Sequence, residues 1–225
     1  MCFSATSSFV IAAALVPAGI ATMRAARQID DRWLALAGFP LFFGVQQAIE
    51  GAVWLGVNSH DEVLVAWASR AFLFFSHFFW LAFPPLATYA VEPDAGRRKI
   101  MAALGITGAI GGLSVFLPAL VKPDWLTVAV VNGNLEYMTT LVYDGIVGRS
   151  LLRYAYAFVV IVSLMASSIR SVQVFGLLIF ASLYFTTTLF PHAIISVWCY
   201  LAAVLSVYMV WMINYERKKH GVAPA

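Results

Sequence analysis

The sequence predicts an all-α membrane protein, a bundle of seven transmembrane helices with its N-terminus outside and its C-terminus in the cytoplasm. Three observations carry this. Of 225 residues, 62% are hydrophobic and 11% charged, with mean hydropathy +0.85, whereas an ordinary soluble domain carries about 25% charged residues. Apolar runs near or above the ~20 residues that cross a bilayer recur along the whole chain. The basic residues gather in short connections on one side of those runs. A pI near 9.0 comes with a net charge of only +3, so the basic balance speaks of membrane topology and gives no reason to expect a nucleic-acid partner.

The first span, 3–23, lacks a basic stretch before its apolar run, and its arginines follow it. It therefore reads as an uncleaved signal anchor, and Cys2, with no apolar segment ahead of it, does not read as a lipoprotein site. The second and third spans, 34–57 and 63–91, are joined by the short "NSHDE" and must be antiparallel neighbours. The fourth, 100–120, contains "LGITGAIGGLS", whose Gly108–Gly112 spacing suits close helix packing. The fifth, sixth and seventh run over 151–168, 172–189 and 193–215, with Pro191 as either a turn or a kink between the last two. At about 1.5 Å per residue each segment covers a hydrocarbon layer about 30 Å thick. Between spans four and five, the outer loop 121–150 holds the β-rich "LTVAVV", then Asn132–Gly133, then "LEYMTTLVY". That pattern predicts a hairpin lying over the bundle.

Orientation follows from the cations. Arg24, Arg27, Arg32, Arg97, Arg98, Lys99, Arg170, Arg217, Lys218 and Lys219 fall on one side, ten of the fourteen basic residues. Lys122, Arg149 and Arg153 stay on the other, and Arg70 lies inside span three. The positive-inside rule then gives N-out, C-in, in a cell inner (plasma) membrane crossed many times. Trp33, Tyr89, Trp211 and Tyr215 fall near the inner interface and Trp54 and Trp67 near the outer one, as aromatic anchors do.

Within "FGVQQAIEGAVWLG" two glutamines and a glutamate interrupt an apolar run. Glu50 lies about 10 Å below the outer surface and Arg70 about 12 Å below it. A charge left unpaired at such depth costs at least ~2.5–3.5 kcal/mol, so a Glu50–Arg70 ion pair facing the bundle interior is expected. Helical spacing puts Phe43, Gln46, Gln47, Glu50 and Trp54 on one stripe of span two. It puts Trp67, Arg70, Phe74, His77 and Leu81 on one of span three, and His192, Ser196, Cys199 and Ser206 on a polar seam of span seven. The candidate pocket in the outer half is therefore Gln46, Glu50, Trp54, Arg70, His77, His192 and Cys199. The competing reading makes Glu50 and Arg70 a register-fixing clamp. A disulfide between Cys2 and Cys199 is disfavoured by their different depths.

Absent motifs narrow the chemistry. Span seven has no lysine for a retinal Schiff base, and no HExxH, HxxxH, CxxC, CxxCH, P-loop or G-x-S-x-G occurs. No metal site and no cofactor are predicted.

The opening "MCFSATSSF", the "FGVQQAIEGAVWL" of span two, Glu92–Pro93 and the "SVWCYLAAVLS" of span seven resemble an uncharacterised family of small prokaryotic polytopic membrane proteins, a domain of unknown function whose members begin Met-Cys-Phe-Ser-Ala. The resemblance covers nearly the whole chain. It implies no activity, and it places Cys2, Glu50, Trp54 and Cys199 within the family's recognisable segments.

The leading functional expectation is a transporter-like or sensor-like protein, lying in the lipid bilayer, that binds or passes a small polar or protonatable ligand. No inverted repeat supports alternating access. The rivals are an accessory or structural subunit of a larger membrane complex, and an intramembrane enzyme using Glu50 and His77 as acid and base.

Overall fold

The computed structural model describes residues 4–191 and 193–221. Among them the chain is mostly helical, arranged as seven helical rods, with one two-stranded hairpin. The first rod is α1 (Ala5–Arg27). The second is α2 (Leu34–Ala37) and α3 (Phe39–Ser59), separated at Gly38. The third joins α4 (Glu62–Leu73), a π-helical turn over Phe74–Phe79, and α5 (Trp80–Val91). Then come α6 (Ala95–Val121), the strands β1 (Leu126–Val131) and β2 (Asn134–Thr139), α7 (Arg149–Met165) and α8 (Arg170–Leu189). The last rod is α9 (Ile194–Leu205) followed by α10 (Tyr208–Lys219).

Local chemistry sets the boundaries where the rods depart from the expected spans. α6 starts five residues before position 100 because the Asp94 side chain caps it, accepting from the Arg97 backbone N–H at 2.7 Å. α7 stops at Met165 because Ser167 and Ser168 turn away to bond Glu92. Pro191 lies in the turn after α8, not within a helix. In the hairpin, Asn132 and Gly133 take φ of 50° and 75°, the left-handed pair a two-residue turn requires, and Val131 faces Asn134 across it. The return strand ends at Thr139, short of the "LVY" expected in it.

Five of the helical segments are long and apolar enough to cross a membrane: Ala5–Arg27, Glu62–Val91, Ala95–Val121, Arg170–Leu189 and Ile194–Lys219. α7 is shorter, at 17 residues, and α3 carries Gln46, Gln47 and Glu50. Helix α6 shows how the bundle divides its faces. Met101, Gly105, Gly108, Gly112, Phe116 and Ala119 are buried, while Ile106, Ile110, Leu113 and Leu117 form an exposed aliphatic stripe on the other side.

The rods meet through small residues. A Cβ on Gly19 of α1 would run into the Leu41 backbone of α3, and one on Gly44 would meet Val16 at 2.9 Å. Likewise α6 lies on the third rod at Gly108, against the Leu81 carbonyl, and at Gly112, where a Cβ would stand 2.9 Å from the His77 carbonyl oxygen. The GxxxG spacing is thus used inside the chain, where close backbone approach yields dispersion contact between the two rods.

Candidate functional site

The site is built on α3. Its stripe of Gln46, Gln47, Glu50 and Trp54 is buried, with Gln46 and Gln47 fully enclosed and Glu50 1% exposed. Three elements close around it. Helix α5 brings Trp80, whose Nε1–H donates to Gln46 Oε1 at 2.6 Å. Helix α9 brings Ser196, whose hydroxyl donates to Glu50 Oε1 at 2.5 Å, and Cys199, beside Gln46. The hairpin brings Tyr137, which alternation along β2 points inward with Leu135. Its ring stacks on Phe72 with centroids 4.7 Å apart, and it packs into one apolar cluster with Trp54, Cys199 and Val53.

Donor and acceptor chemistry fixes how these amides point. An indole N–H can only donate, so Gln46 must turn Oε1 to Trp80, and its Nε2 is left facing elsewhere. Glu50 accepts from Gln47 Nε2 at 3.0 Å, which leaves Gln47 Oε1 facing away from it. Gln46 Nε2, Gln47 Oε1, Trp54 Nε1 and Tyr137 Oη all lie buried without a hydrogen-bond partner, although the Cys199 sulfur is close to Gln46. Each such orphan costs about 1–3 kcal/mol. Among the described residues, half of the buried side-chain atoms of this kind fall on these four residues, and the others are scattered, as at Ser8, Thr88 and Asn134. Burial first, and then the Glu50 carboxyl and the Cys199 thiol, push the Tyr137 phenol well above the ordinary value of 10.0, so it remains an O–H.

Of the residues expected from sequence, Gln46, Glu50, Trp54 and Cys199 come together here. Arg70 does not join them, and the expected Glu50–Arg70 ion pair does not form. Arg70 Nη1 donates to the carbonyl of Ala66 in its own helix at 2.7 Å, while Glu50 is satisfied by the neutral donors Gln47 and Ser196. The reason is the rotation of α4 about its axis. Helix α4 buries Ala68, Ser69, Phe72 and Leu73, and Arg70 lies off that face. His77 sits in the π-helical turn with its Nδ1 3.0 Å from Ser76 Oγ, and its backbone is packed on α6. It makes no acid–base pair with Glu50. His192 lies outside the described residues, as does Cys2 and with it the question of a disulfide. Among the described residues Cys199 is a buried thiol with no disulfide partner.

Sequence reasoning named Gln47 and Ser196 only as members of helix stripes, and missed Trp80 and Tyr137. Alternation with Leu135 could have flagged Tyr137. Nothing local marks Trp80 among its aromatic neighbours.

A second buried carboxylate was also missed. At the far end of α5, Glu92 is 3% exposed. It accepts from Ser167 Oγ and the Ser168 backbone N–H at 2.8 Å each, and from Ser168 Oγ at 2.5 Å. This fastens α5 to the α7–α8 turn. Nearby, Ser171 Oγ donates to Glu216 at 2.9 Å, binding α8 to α10. Among the described residues no three His, Cys, Asp or Glu side chains converge as a metal site.

The profile of a protein family with no assigned function matches residues 1–224. No curated protein matches the chain, and no solved structure does.

Proposed function

We propose, from the premise that this chain belongs to the family of unknown function DUF6629, that it is a multi-pass inner-membrane protein whose outer half binds a small polar or protonatable ligand at the Gln46–Glu50 site. The observation that carries the reading is the set of four unpartnered buried polar atoms around a buried carboxyl group. An intramembrane carboxyl is costly, and such groups mark ligand, ion or proton sites. A purely structural clamp would be expected to satisfy its own polar atoms.

Membrane residence is supported by the five long apolar helices and by the exposed aliphatic stripe of α6, an apolar patch that lipid explains and water does not. The N-out, C-in orientation rests on the ten cations grouped on one side. In that orientation the hairpin covers the site from outside, and the Glu92 and Glu216 attachments lie at the cytoplasmic end. A site roofed outside and fastened inside fits binding and sensing better than steady passage. A reporter fused after Ala225 should read cytoplasm and one inserted at Asn132 the outer compartment. The opposite reading at either point would overturn the topology.

Tyr137→Phe tests the site because it removes only the orphan hydroxyl. In an empty scaffold the change relieves a buried unmet group, so thermal stability rises and nothing else changes. In a binding site it weakens ligand retention about five- to tenfold, the worth of one hydrogen bond. The readout is native mass spectrometry of small molecules retained by the protein in native-lipid nanodiscs. If wild type retains none, or Tyr137→Phe retains as much as wild type, the binding reading fails. Stoichiometric large partners in the same particles would instead favour the subunit reading.

A further inference from the structure

Between Val63 and Val91 the third rod carries a single Arg, Lys, Asp or Glu side chain, that of Arg70. Arginines inside apolar spans usually turn to the bundle interior or to a carboxylate. Arg70 does neither. It shares one side of α4 with Val63, Trp67 and Phe74, at the three- and four-residue spacings that make helix neighbours. That side faces away from the bundle. Trp67 is 68% exposed, and Val63 and Phe74 are exposed with it, while Ala68, Ser69, Phe72 and Leu73 are buried opposite. Among the described residues the guanidinium makes one hydrogen bond, from Nη1 to the Ala66 carbonyl at 2.7 Å, and no ion pair. The rest of the fork, Nε and Nη2 included, is open.

Two observations set the level of this fork. Glu62 opens α4, and Arg70 follows eight residues later, about 12 Å along the axis. The interfacial layer takes up about 5–7 Å on each side of a bilayer, so the Arg70 Cα lies just inside the apolar core. The Ala66 carbonyl is on its N-terminal side, and the bond to it turns the side chain back toward the outer end of the helix. Trp67, three residues nearer that end, is of the residue type that settles at headgroup level. The guanidinium therefore stands where lipid phosphates stand. Below it Phe74 packs edge-on against Phe116 of α6, centroids 5.7 Å apart, an apolar bed for an acyl chain.

A phosphodiester meets the fork in geometry, with paired N–H···O bonds, and in charge. A zwitterionic headgroup offers the same phosphate with its own ammonium beside it, so a headgroup of net negative charge neutralises Arg70 better. Asp61 and Glu62 at the start of α4 are exposed, and about 8 Å of physiological salt solution screens such charges.

We propose that Arg70 and Trp67 form a binding site for an anionic phospholipid of the outer leaflet, its phosphodiester on the Arg70 guanidinium and its acyl chains over Phe74. The lipid reaches this site sideways from the bilayer, without a path through the bundle. The inference rests on the membrane residence proposed above and is independent of the Gln46–Glu50 site.

The test is native mass spectrometry of the full chain, delipidated in nonionic detergent and titrated with phosphatidylglycerol, phosphatidylethanolamine or inorganic phosphate. Wild type should bind its first phosphatidylglycerol about tenfold tighter than Arg70→Gln does, the worth of a charge-assisted hydrogen bond. Arg70→Lys keeps the charge without the fork and should fall between them. Phosphatidylethanolamine should bind wild type about as weakly as phosphatidylglycerol binds Arg70→Gln, and inorganic phosphate, with no acyl chains, should not bind. Lys122→Gln removes an exposed cation at the same end of the bundle and should leave phosphatidylglycerol binding unchanged. Because Arg70 lies off the packed face of α4, Arg70→Gln should keep the wild-type melting temperature. If it does not, Arg70→Lys against wild type carries the comparison, at about threefold.

Equal phosphatidylglycerol binding by wild type and the Arg70 variants, or an equal loss in Lys122→Gln, would overturn the site. Phosphatidylethanolamine bound as tightly as phosphatidylglycerol would overturn the anionic class, and inorganic phosphate bound as tightly would overturn the lipid. Each of these leaves the Tyr137→Phe experiment standing. A chain that stays folded and dispersed without detergent would remove membrane residence, and both readings with it.

Discussion

Gly108→Ala should destabilise the protein by about 2–3 kcal/mol, at the upper end of what one inserted methyl costs in a packed interface, while Gly111→Ala, three residues away, should not. At Gly108 the new Cβ would fall on the Leu81 backbone carbonyl, with Val159 at 3.3 Å on the other side. A carbonyl within a helix cannot swing aside as a side chain does. Relief requires α5 and α6 to separate along a seam that includes Gly105 and Gly112. At Gly111 the nearest atom is the Leu81 Cδ2 at 3.9 Å, ordinary contact. There the change should stabilise slightly, since alanine is favoured over glycine within a helix by about 0.5–1 kcal/mol. Thermal unfolding of the two variants in detergent measures the difference. Equal melting temperatures would mean that the glycine seam does not hold the third rod against α6.

Glu92→Ala should cost about 3 kcal/mol, because a buried carboxylate that accepts four hydrogen bonds is removed and its donors are left facing a void. Ser167 and Ser168 would lose their partner, and hydrogen exchange should rise first at the α7–α8 turn that they form. The same group predicts a pH dependence. Burial works against its charged form, but the hydrogen bonds from Ser168 and Ser167 outweigh this and hold the carboxyl below its ordinary value of 4.5. A lowered folded-state value means that the folded protein holds the proton less readily than the unfolded chain. The contribution is therefore fully present above the ordinary carboxylate value and disappears as pH falls through the lower folded-state value. Wild type should lose stability on acidification below that range more steeply than Glu92→Gln. Parallel acid profiles would show that the carboxylate contributes no linkage.

The two buried acidic side chains illustrate different ways of holding a carboxyl group without a cation. Glu92 lies at a helix end and borrows the donors of a neighbouring turn, which is a fastening. Glu50 lies within α3 and is met by one amide and one hydroxyl, while the polar atoms around it stay unmet. Fastenings tend to completeness because each unmet group subtracts stability. The proposed binding reading rests on that incompleteness around Glu50.

The sequence by itself determined the helical rods, the hairpin and the stripe on α3. Each depends on information local to its own segment: apolar runs long enough for a bilayer, a glycine-bearing two-residue turn at Asn132–Gly133, and side chains repeating every three or four positions. It also identified Gln46, Glu50, Trp54 and Cys199, since polar residues within apolar runs stand out without reference to their neighbours. Tertiary structure alone decided who meets whom. Depth along a helix can be counted from its end, but the rotation of each rod about its axis is set by packing, here by glycine contacts such as Gly19 on Leu41 and Gly108 on Leu81. That rotation turned Arg70 away from Glu50, carried Ser196 of α9 and Trp80 of α5 toward α3, and let β2 insert Tyr137 from a segment some 90 positions further along the chain. Positions along a helix were legible; matching faces were not, because a face is defined only once the neighbouring helices are in place.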